Sequence, residues 1–464
     1  MSKIIYFCIV CVVFVNAQKI SYEGYRLYQV LPTTDGQVKS LETIKKNGFA
    51  TFWEEIFNVN SDVKAMVSRE NEKEFLEITK NEHLKPKIII ENLQRAIEDQ
   101  LKPALLDSRD SSSFHSLTWN SYHTLEEIYT WLDELVTAYP DIVSPITIGS
   151  SFENRPIRGI IINYHPEITY TSVGILESTI HAREWIAPAA VTWIIKEFLT
   201  STDPEIRELA EGYEWHIFPV VNPDGYAYTF TTNRMWRKNR NVSYFTSCNT
   251  TGVLDDMSNG VDLNRNFDFV WNTAGTSPDP CSNTYPGPTA FSEPETRAIA
   301  QYVRNVNERA NIAYYLAFHS YTQLVILPYS HINGFNALMA TNYADMYEIG
   351  IRGADRIQNR FGTNYRVGVS MDVMYAMSGT SFDWVKYTTQ VPIAYLLELR
   401  DLGEYGFLLP PQQIIPTGLE TMDFLVEMNK NAKGMGYNVW LMSSASIVHV
   451  NVLFTICIVL GMLF

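Results

Sequence analysis

An apolar run of strand length, residues 172–177 (Ser-Val-Gly-Ile-Leu-Glu), is followed by His181 and Glu184. A second apolar run, residues 185–199, then reads as a buried helix. No other stretch constrains the chain as much. A strand that gives way to a buried helix is the unit of a layered α/β fold, and open α/β sheets build their sites at such turns. His181 and Glu184 lie three residues apart there, and both side-chain types coordinate zinc. Two ligands do not complete a catalytic zinc site, which needs three protein ligands and an open position. A lone His-x-x-Glu pair also occurs on solvated helices and beside paired core histidines, so the rest of the chain has to supply the third ligand and the chemistry.

The chain supplies the layers that such a turn needs. Thr124 and Glu127 form a capping box, and the helix they open is predicted to run to about residue 138, ahead of Pro140. Strand-like runs occupy 156–163, 214–221, 312–318 and 391–399. Helix-like runs occupy 293–307, opened by Ser292 with Glu295 three residues on, 342–361 and 417–430. This alternation predicts an α/β fold with a mixed sheet sandwiched by helices over residues 110–440. Residues 18–109 read as a separate, ferredoxin-like α+β domain in the order β-α-β-β-α-β. Its strands fall at 22–30, 51–53, 62–67 and 87–90, and its helices at 36–47 and 72–82. The polar stretch 106–113 is a linker, and Arg109 within it is a natural nicking site for a trypsin-like protease.

Both ends are apolar. Residues 1–17 carry one lysine, a short apolar run and a small-residue ending, the pattern of a signal peptide, which predicts export. Residues 441–464 run from small residues into an apolar tail with no basic residue after it, which resembles a glycolipid-anchor signal on the outer cell surface. A marginal membrane span and a buried terminal strand are the alternatives for that tail. Removing both ends takes Cys8, Cys11 and Cys457 and leaves Cys248 and Cys281, which suits one disulfide in an exported protein; two free buried thiols are the alternative. Asn241 and Asn249 begin glycosylation sequons. The formal net charge of −15 argues against nonspecific nucleic-acid binding, which needs a basic footprint.

His319 is the candidate third ligand. It ends the apolar run 312–318 and so emerges at a sheet edge, as His181 does. His216 also lies in a strand, but inside it, and reads as a satisfied core histidine. Glu398 ends the apolar run 391–397 and is the candidate general base, since burying such a group is costly without a task or a partner; Arg400 is the candidate structural partner. Basic residues cluster at 233–240 and 260–266, where guanidinium groups could bind a carboxylate or an oxyanion.

Together these residues resemble the zinc metallocarboxypeptidases of the carboxypeptidase A/B type. The resemblance rests on His-Ala-Arg-Glu at 181–184, Asn-Pro-Asp-Gly at 222–225, Arg-Met-Trp-Arg-Lys at 234–238, Gly-Val-Asp-Leu-Asn-Arg-Asn at 260–266, His-Ser-Tyr at 319–321, Tyr375 eight residues before Asp383, and Glu-Leu-Arg-Asp at 398–401. It implies a zymogen whose residues 18–109 cover the cleft until a trypsin-like protease cuts near Arg109. It implies one zinc ion per chain on His181, Glu184 and His319, with Asp262 orienting His181. Glu398 would be the general base and acid, and Arg237 would stabilise the oxyanion. Asn264, Arg265 and Tyr375 would hold the terminal carboxylate of a peptide substrate, and Arg183 and Tyr321 would line the neighbouring subsite. Cys248 and Cys281 match the family's disulfide. Residues 250–259 look like an insertion relative to the pattern. Phe382 stands at the expected floor of the specificity pocket, with Ser330 and Met377 beside it, which implies cleavage of apolar or aromatic C-terminal residues. The alternative is a non-catalytic peptide-binding relative at the cell surface. Loss of a ligand or of the base would signal it, and none is missing.

Overall fold

The computed structural model describes residues 19–104, 113–167, 172–244, 259–331 and 339–437. The signal-like segment, most of the linker with Arg109, Cys248, Asn249, most of the insertion and the apolar tail lie outside the described residues. Cys281 is disulfide-bonded. Among the described residues no helix is long and apolar enough to cross a membrane.

The N-terminal part realises the expected order. Strands β1 (Tyr25–Val30), β2 (Thr51–Phe52), β3 (Val63–Ser68) and β4 (Lys87–Ile90) alternate with α1 (Asp35–Lys46) and α2 (Glu72–Asn81), and α3 (Leu93–Gln100) follows. The sheet order is β2-β3-β1-β4, all antiparallel, as a split β-α-β motif requires. Helix α1 starts where the Thr34 side chain accepts the Gln37 N–H, and it buries Leu41 and Ile44. A second apolar cluster joins this part to the rest of the chain: Tyr22, Leu27, Trp53, Met66, Leu93 and Ile97 pack with Met235, Tyr321, Phe407 and Leu408.

The larger part begins with the two-residue strands β5 (Ser113–Phe114) and β6 (Leu117–Thr118), then α4 (Leu125–Ala138), opened by the expected Thr124–Glu127 capping box. Next come β7 (Val143–Ser150), β8 (Pro156–Ile162), β9 (Ser172–Ser178), α5 (Ile186–Thr200), α6 (Pro204–Glu211), β10 (Glu214–Phe218) and α7 (Pro223–Thr231). They are followed by α8 (Pro294–Arg309), β11 (Asn311–Ser320), β12 (Leu324–Leu327), α9 (Tyr343–Phe361), β13 (Arg366–Val369), α10 (Ser370–Val373), α11 (Ser381–Thr389), β14 (Ile393–Leu399) and α12 (Ile414–Gly434). Eight strands make one mixed sheet in the order β13-β12-β14-β11-β9-β10-β8-β7. Its centre, β14-β11-β9-β10, is parallel, and those strands are almost wholly buried, which is why they read as unbroken apolar runs.

Four sequence expectations change. Strands β7, β12 and β13 join the sheet although the sequence reading passed over them; β7 alternates and carries Pro145, the composition of an edge, and the other two have four residues each. Ser292 does not cap α8. Glu293 is its N-cap, and Glu295 is buried, accepting from the Phe152 N–H at 3.0 Å and the Asn239 amide at 3.2 Å. Asn241, read as a sequon, is buried, and its amide donates to Glu293 at 2.8 Å, so the folded chain does not offer it to glycosylation. Arg400 pairs with Glu420, not with Glu398. His216 is the expected core histidine, held by Glu214 and the Tyr302 hydroxyl, each at 2.7 Å.

Gly379 fixes the loop before α11 against residues 265–269. Its φ is +70°, and a Cβ there would lie 2.2 Å from the Arg265 carbonyl oxygen. Gly379→Ala is therefore expected to destabilise the protein by about 2 kcal/mol or more, read as a lowered urea midpoint.

Candidate active site

Parallel pairing makes β9, β11 and β14 end at one edge of the sheet, where crossover helices leave room for a site. The chain leaves β9 through Thr179, whose φ of +62° is rare for a β-branched residue. The Ser178 and Thr179 hydroxyls pin this turn by donating to the Pro219 carbonyl at 2.7 and 2.8 Å. His181 and Glu184 follow in the turn before α5. His319 sits near the end of β11, directly across from Glu398 on β14.

The three donor residues are buried and converge. His181 Nδ1 lies 2.8 Å from Glu184 Oε1, His319 Nδ1 lies 3.0 Å from Glu184 Oε2, and the two ring nitrogens are 3.2 Å apart. A tetrahedral ion with bonds of about 2.0–2.1 Å sets its donors about 3.3 Å apart, so this set of two imidazoles and a carboxylate fits zinc. The other nitrogen of His181, Nε2, lies 3.1 Å from Asp262 Oδ1, which leaves Nδ1 to face the shared point. Asp262 is a hub. It also accepts from Arg237 Nη2 at 2.9 Å and from the Asn264 N–H at 3.0 Å. Burial alone would raise its pKa, but the Arg237, Arg265 and His181 charges outweigh that and hold it well below the usual carboxylate range.

Glu398 stands in the opposite condition. Burial and the nearby Glu184 carboxylate lift its pKa above the ordinary glutamate value, against the pull of His319, Arg237 and Arg265. Arg265 is fixed by the carbonyls of Gly275 and Asn264, each at 2.9 Å, and its Nη2 lies 3.4 Å from the Tyr375 hydroxyl. The Ser381 N–H holds Asn264 Oδ1 at 3.0 Å.

A cavity of about 450 Å³ gathers His181, Glu184, Arg237, Asn264, Arg265, His319, Tyr321, Tyr375 and Glu398 on its walls. Trp53, Glu54 and Glu55 of the N-terminal part also line it. The Tyr321 hydroxyl donates to Glu54 at 2.8 Å, and Trp53 packs against Tyr321 and Phe407 with ring centroids 6.1 and 5.4 Å apart. Arg183 is fully buried and is not on the cavity wall; it pairs with Glu55 at 3.1 Å. Phe382 and Ser330 are fully buried as well, and neither lines the cavity. Met377 does, with Met374 and Leu396, which the sequence reading missed. Leu396 could have been found from its place two residues before Glu398, since alternate residues of a strand share a face. No comparable signal marked Trp53, Glu54 and Glu55, because a covering contact has no sequence pattern of its own.

A profile described as "Zinc carboxypeptidase" matches residues 128–424, and one described as "Carboxypeptidase activation peptide" matches residues 28–100. The chain belongs to the zinc carboxypeptidase family. It is a zinc-dependent peptide hydrolase that carries its own activation peptide. Among its relatives, zinc carboxypeptidase A 1 of Anopheles gambiae is 39% identical over 425 residues, covering 91% of this chain and 92% of that one. The zinc carboxypeptidase of Simulium vittatum is 46% identical over 317 residues, covering 68% of this chain and 98% of the relative. The crystal structure of carboxypeptidase A from Helicoverpa armigera superposes with a TM-score of 0.76 at 28% identity, covering 89% of this chain and 98% of that chain.

Asp262→Asn removes the charge that orients His181 and balances Arg237. It is expected to weaken zinc binding about 10–100-fold, measured by competition with a chromophoric chelator.

Proposed function

We propose that this zinc carboxypeptidase is an exported zymogen whose residues 110–440, once freed, remove single apolar or aromatic residues from peptide C-termini. The observation that carries this reading is the single cavity in which His181, Glu184 and His319 meet Glu398, Arg237 and Arg265. His181, Glu184 and His319 would hold the zinc ion. When bound, the ion supplies Lewis acidity, polarising a carbonyl and making water a stronger acid. Glu398 takes a proton from the attacking water and delivers it to the leaving amine, a task suited by a carboxyl pKa raised toward neutrality. Arg237 faces the carbonyl oxygen as negative charge develops there. Arg265, Asn264 and Tyr375 bind the terminal carboxylate, which places the last peptide bond beside Glu398 and restricts cleavage to chain ends. Arg183 and Tyr321 serve the neighbouring subsite.

The preference for apolar residues is supported by Met374, Met377 and Leu396 on the cavity wall. It comes from these three side chains; Phe382 acts only through packing. Residues 18–109 act as the activation region. Trp53, Glu54 and Glu55 stand in the cavity beside the reacting groups, which supports a covered, inactive form. We further assign residues 1–17 as the export signal, the linker at Arg109 as the site of a trypsin-like protease, Cys248 as the partner of Cys281, and residues 441–464 as a glycolipid-anchor signal.

The test is hydrolysis of blocked dipeptides ending in Phe, Leu, Lys or Glu by the trypsin-treated protein. Release of Phe and Leu is expected to exceed that of Lys and Glu, to stop with a zinc chelator, and to fall at least about 10²-fold in Glu398→Gln. Faster release of Lys or Glu contradicts the pocket assignment. No turnover with zinc bound and the N-terminal part removed contradicts the enzyme's proposed cycle.

A further inference from the structure

Arg183 lies between the two metal-binding residues in sequence, yet its side chain serves neither. It is fully buried, and among the described residues the larger part of the chain brings no carboxylate within 4 Å of it; Glu184 acts on it only from farther away. Among the described residues, the one carboxylate within 4 Å of its guanidinium is Glu55, 3.1 Å from Nη2. The same Nη2 donates to the Trp53 carbonyl at 2.9 Å. Both partners come from the N-terminal part. Nε and Nη1 are buried without an acceptor. The Phe407 ring lies 4.1 Å from the guanidinium carbon and fixes the plane of the group. The neighbouring cations do not relieve it: Arg234 donates to the Arg183 carbonyl at 2.9 Å, and the Arg237 charge works against it as well.

Removal of the N-terminal part, which the function proposed above requires, takes Glu55 and the Trp53 carbonyl away together. A guanidinium carrying five N–H donors then has no carboxylate within 4 Å among the described residues, on the side where Glu55 of the cavity wall had stood. A charge in that setting is costly until an anion returns. Glu55 demonstrates what fits, since a carboxylate and a backbone carbonyl reach Nη2 together, with Nε and Nη1 still open to a second oxygen. Glu54, next in the chain, reaches the Tyr321 hydroxyl in the same cleft.

We propose that Arg183 makes the activated enzyme select peptides that carry an acidic side chain one or two residues upstream of the terminal residue. Arg183 is then a specificity-determining residue, acting through substrate affinity. The terminal residue is chosen by the apolar wall, and the acidic residue upstream is chosen by the charge that Glu55 neutralises in the zymogen. The enzyme so described favours chain ends in which an acidic residue precedes an apolar terminus.

The test uses the trypsin-activated full chain and two pairs of blocked tripeptides, acetyl-Xaa-Ala-Phe and acetyl-Ala-Xaa-Phe, with Xaa either Glu or its neutral isostere Gln. At one of the two positions Glu is expected to exceed Gln about tenfold in kcat/KM, the gain falling in KM, as for a hydrogen-bonded ion pair that is partly shielded from water. In Arg183→Gln the Glu/Gln ratio is expected to fall to about one. In Arg183→Lys, which keeps the charge and loses the planar fork, it is expected to keep part of its size. A wild-type ratio under twofold at both positions overturns the proposal without any variant, and so does an undiminished ratio in Arg183→Gln. If Arg183→Gln does not fold, an undiminished ratio in Arg183→Lys overturns the fork recognition. Turnover of the Gln peptides tests the carboxypeptidase cycle separately, so a flat ratio with good turnover overturns only the acidic preference.

Discussion

The parallel ladder of β9, β11 and β14 is the constraint on which the site depends. Parallel strands end at the same edge, so the residues that follow them are brought together whatever their separation in sequence. The register sets His319 beside Glu398 and Ala317 beside Glu177. Because all three strands are buried on both faces, a slip of one residue would turn His319 into the packed interior and lose the site and the core together. The stability of the sheet and the geometry of the donors are therefore one property of the chain.

Electrostatics completes what the ladder begins. A buried carboxylate costs free energy unless it is paired, and this cleft buries Glu184, Asp262 and Glu398. Asp262 is compensated by Arg237 and His181, and Glu184 by the two imidazoles, whose charges outweigh its burial and lower its pKa. Among the described residues no cation is hydrogen-bonded to Glu398, and Arg400, which could have served, is committed to Glu420. Glu398 is the group to which the proposed function assigns the moving proton. The N-terminal part extends the same pattern outward: it brings Glu55 to Arg183 and Glu54 to Tyr321, and its Trp53 covers the aromatic rim formed by Tyr321 and Phe407.

Much of this was legible in the sequence because it follows from period and position. The apolar runs ending in His319 and Glu398 announced buried strands whose last residues emerge at a sheet edge, and the six elements of the N-terminal part were readable from their alternation. Short or edge elements were not. β12 and β13 have four residues each, and β7 carries a proline that a central strand would not tolerate. Ser292 carried a capping signature that tertiary structure overrode, since Glu295 found buried donors from Phe152 and Asn239. Phe382 and Met377 were expected in the pocket by resemblance; Met377 lines the cavity with Met374 and Leu396, whereas Phe382, on α11, is packed away from it.

The central claim is that His181, Glu184 and His319 form one zinc site. Zinc-edge anomalous diffraction from crystals of the zinc-loaded full chain tests it most directly. The account predicts one strong peak about 2.0–2.2 Å from His181 Nδ1, His319 Nδ1 and a Glu184 oxygen, with Glu398 outside the first coordination sphere. A peak on other residues, or none among these three in a chain that holds zinc, would contradict it.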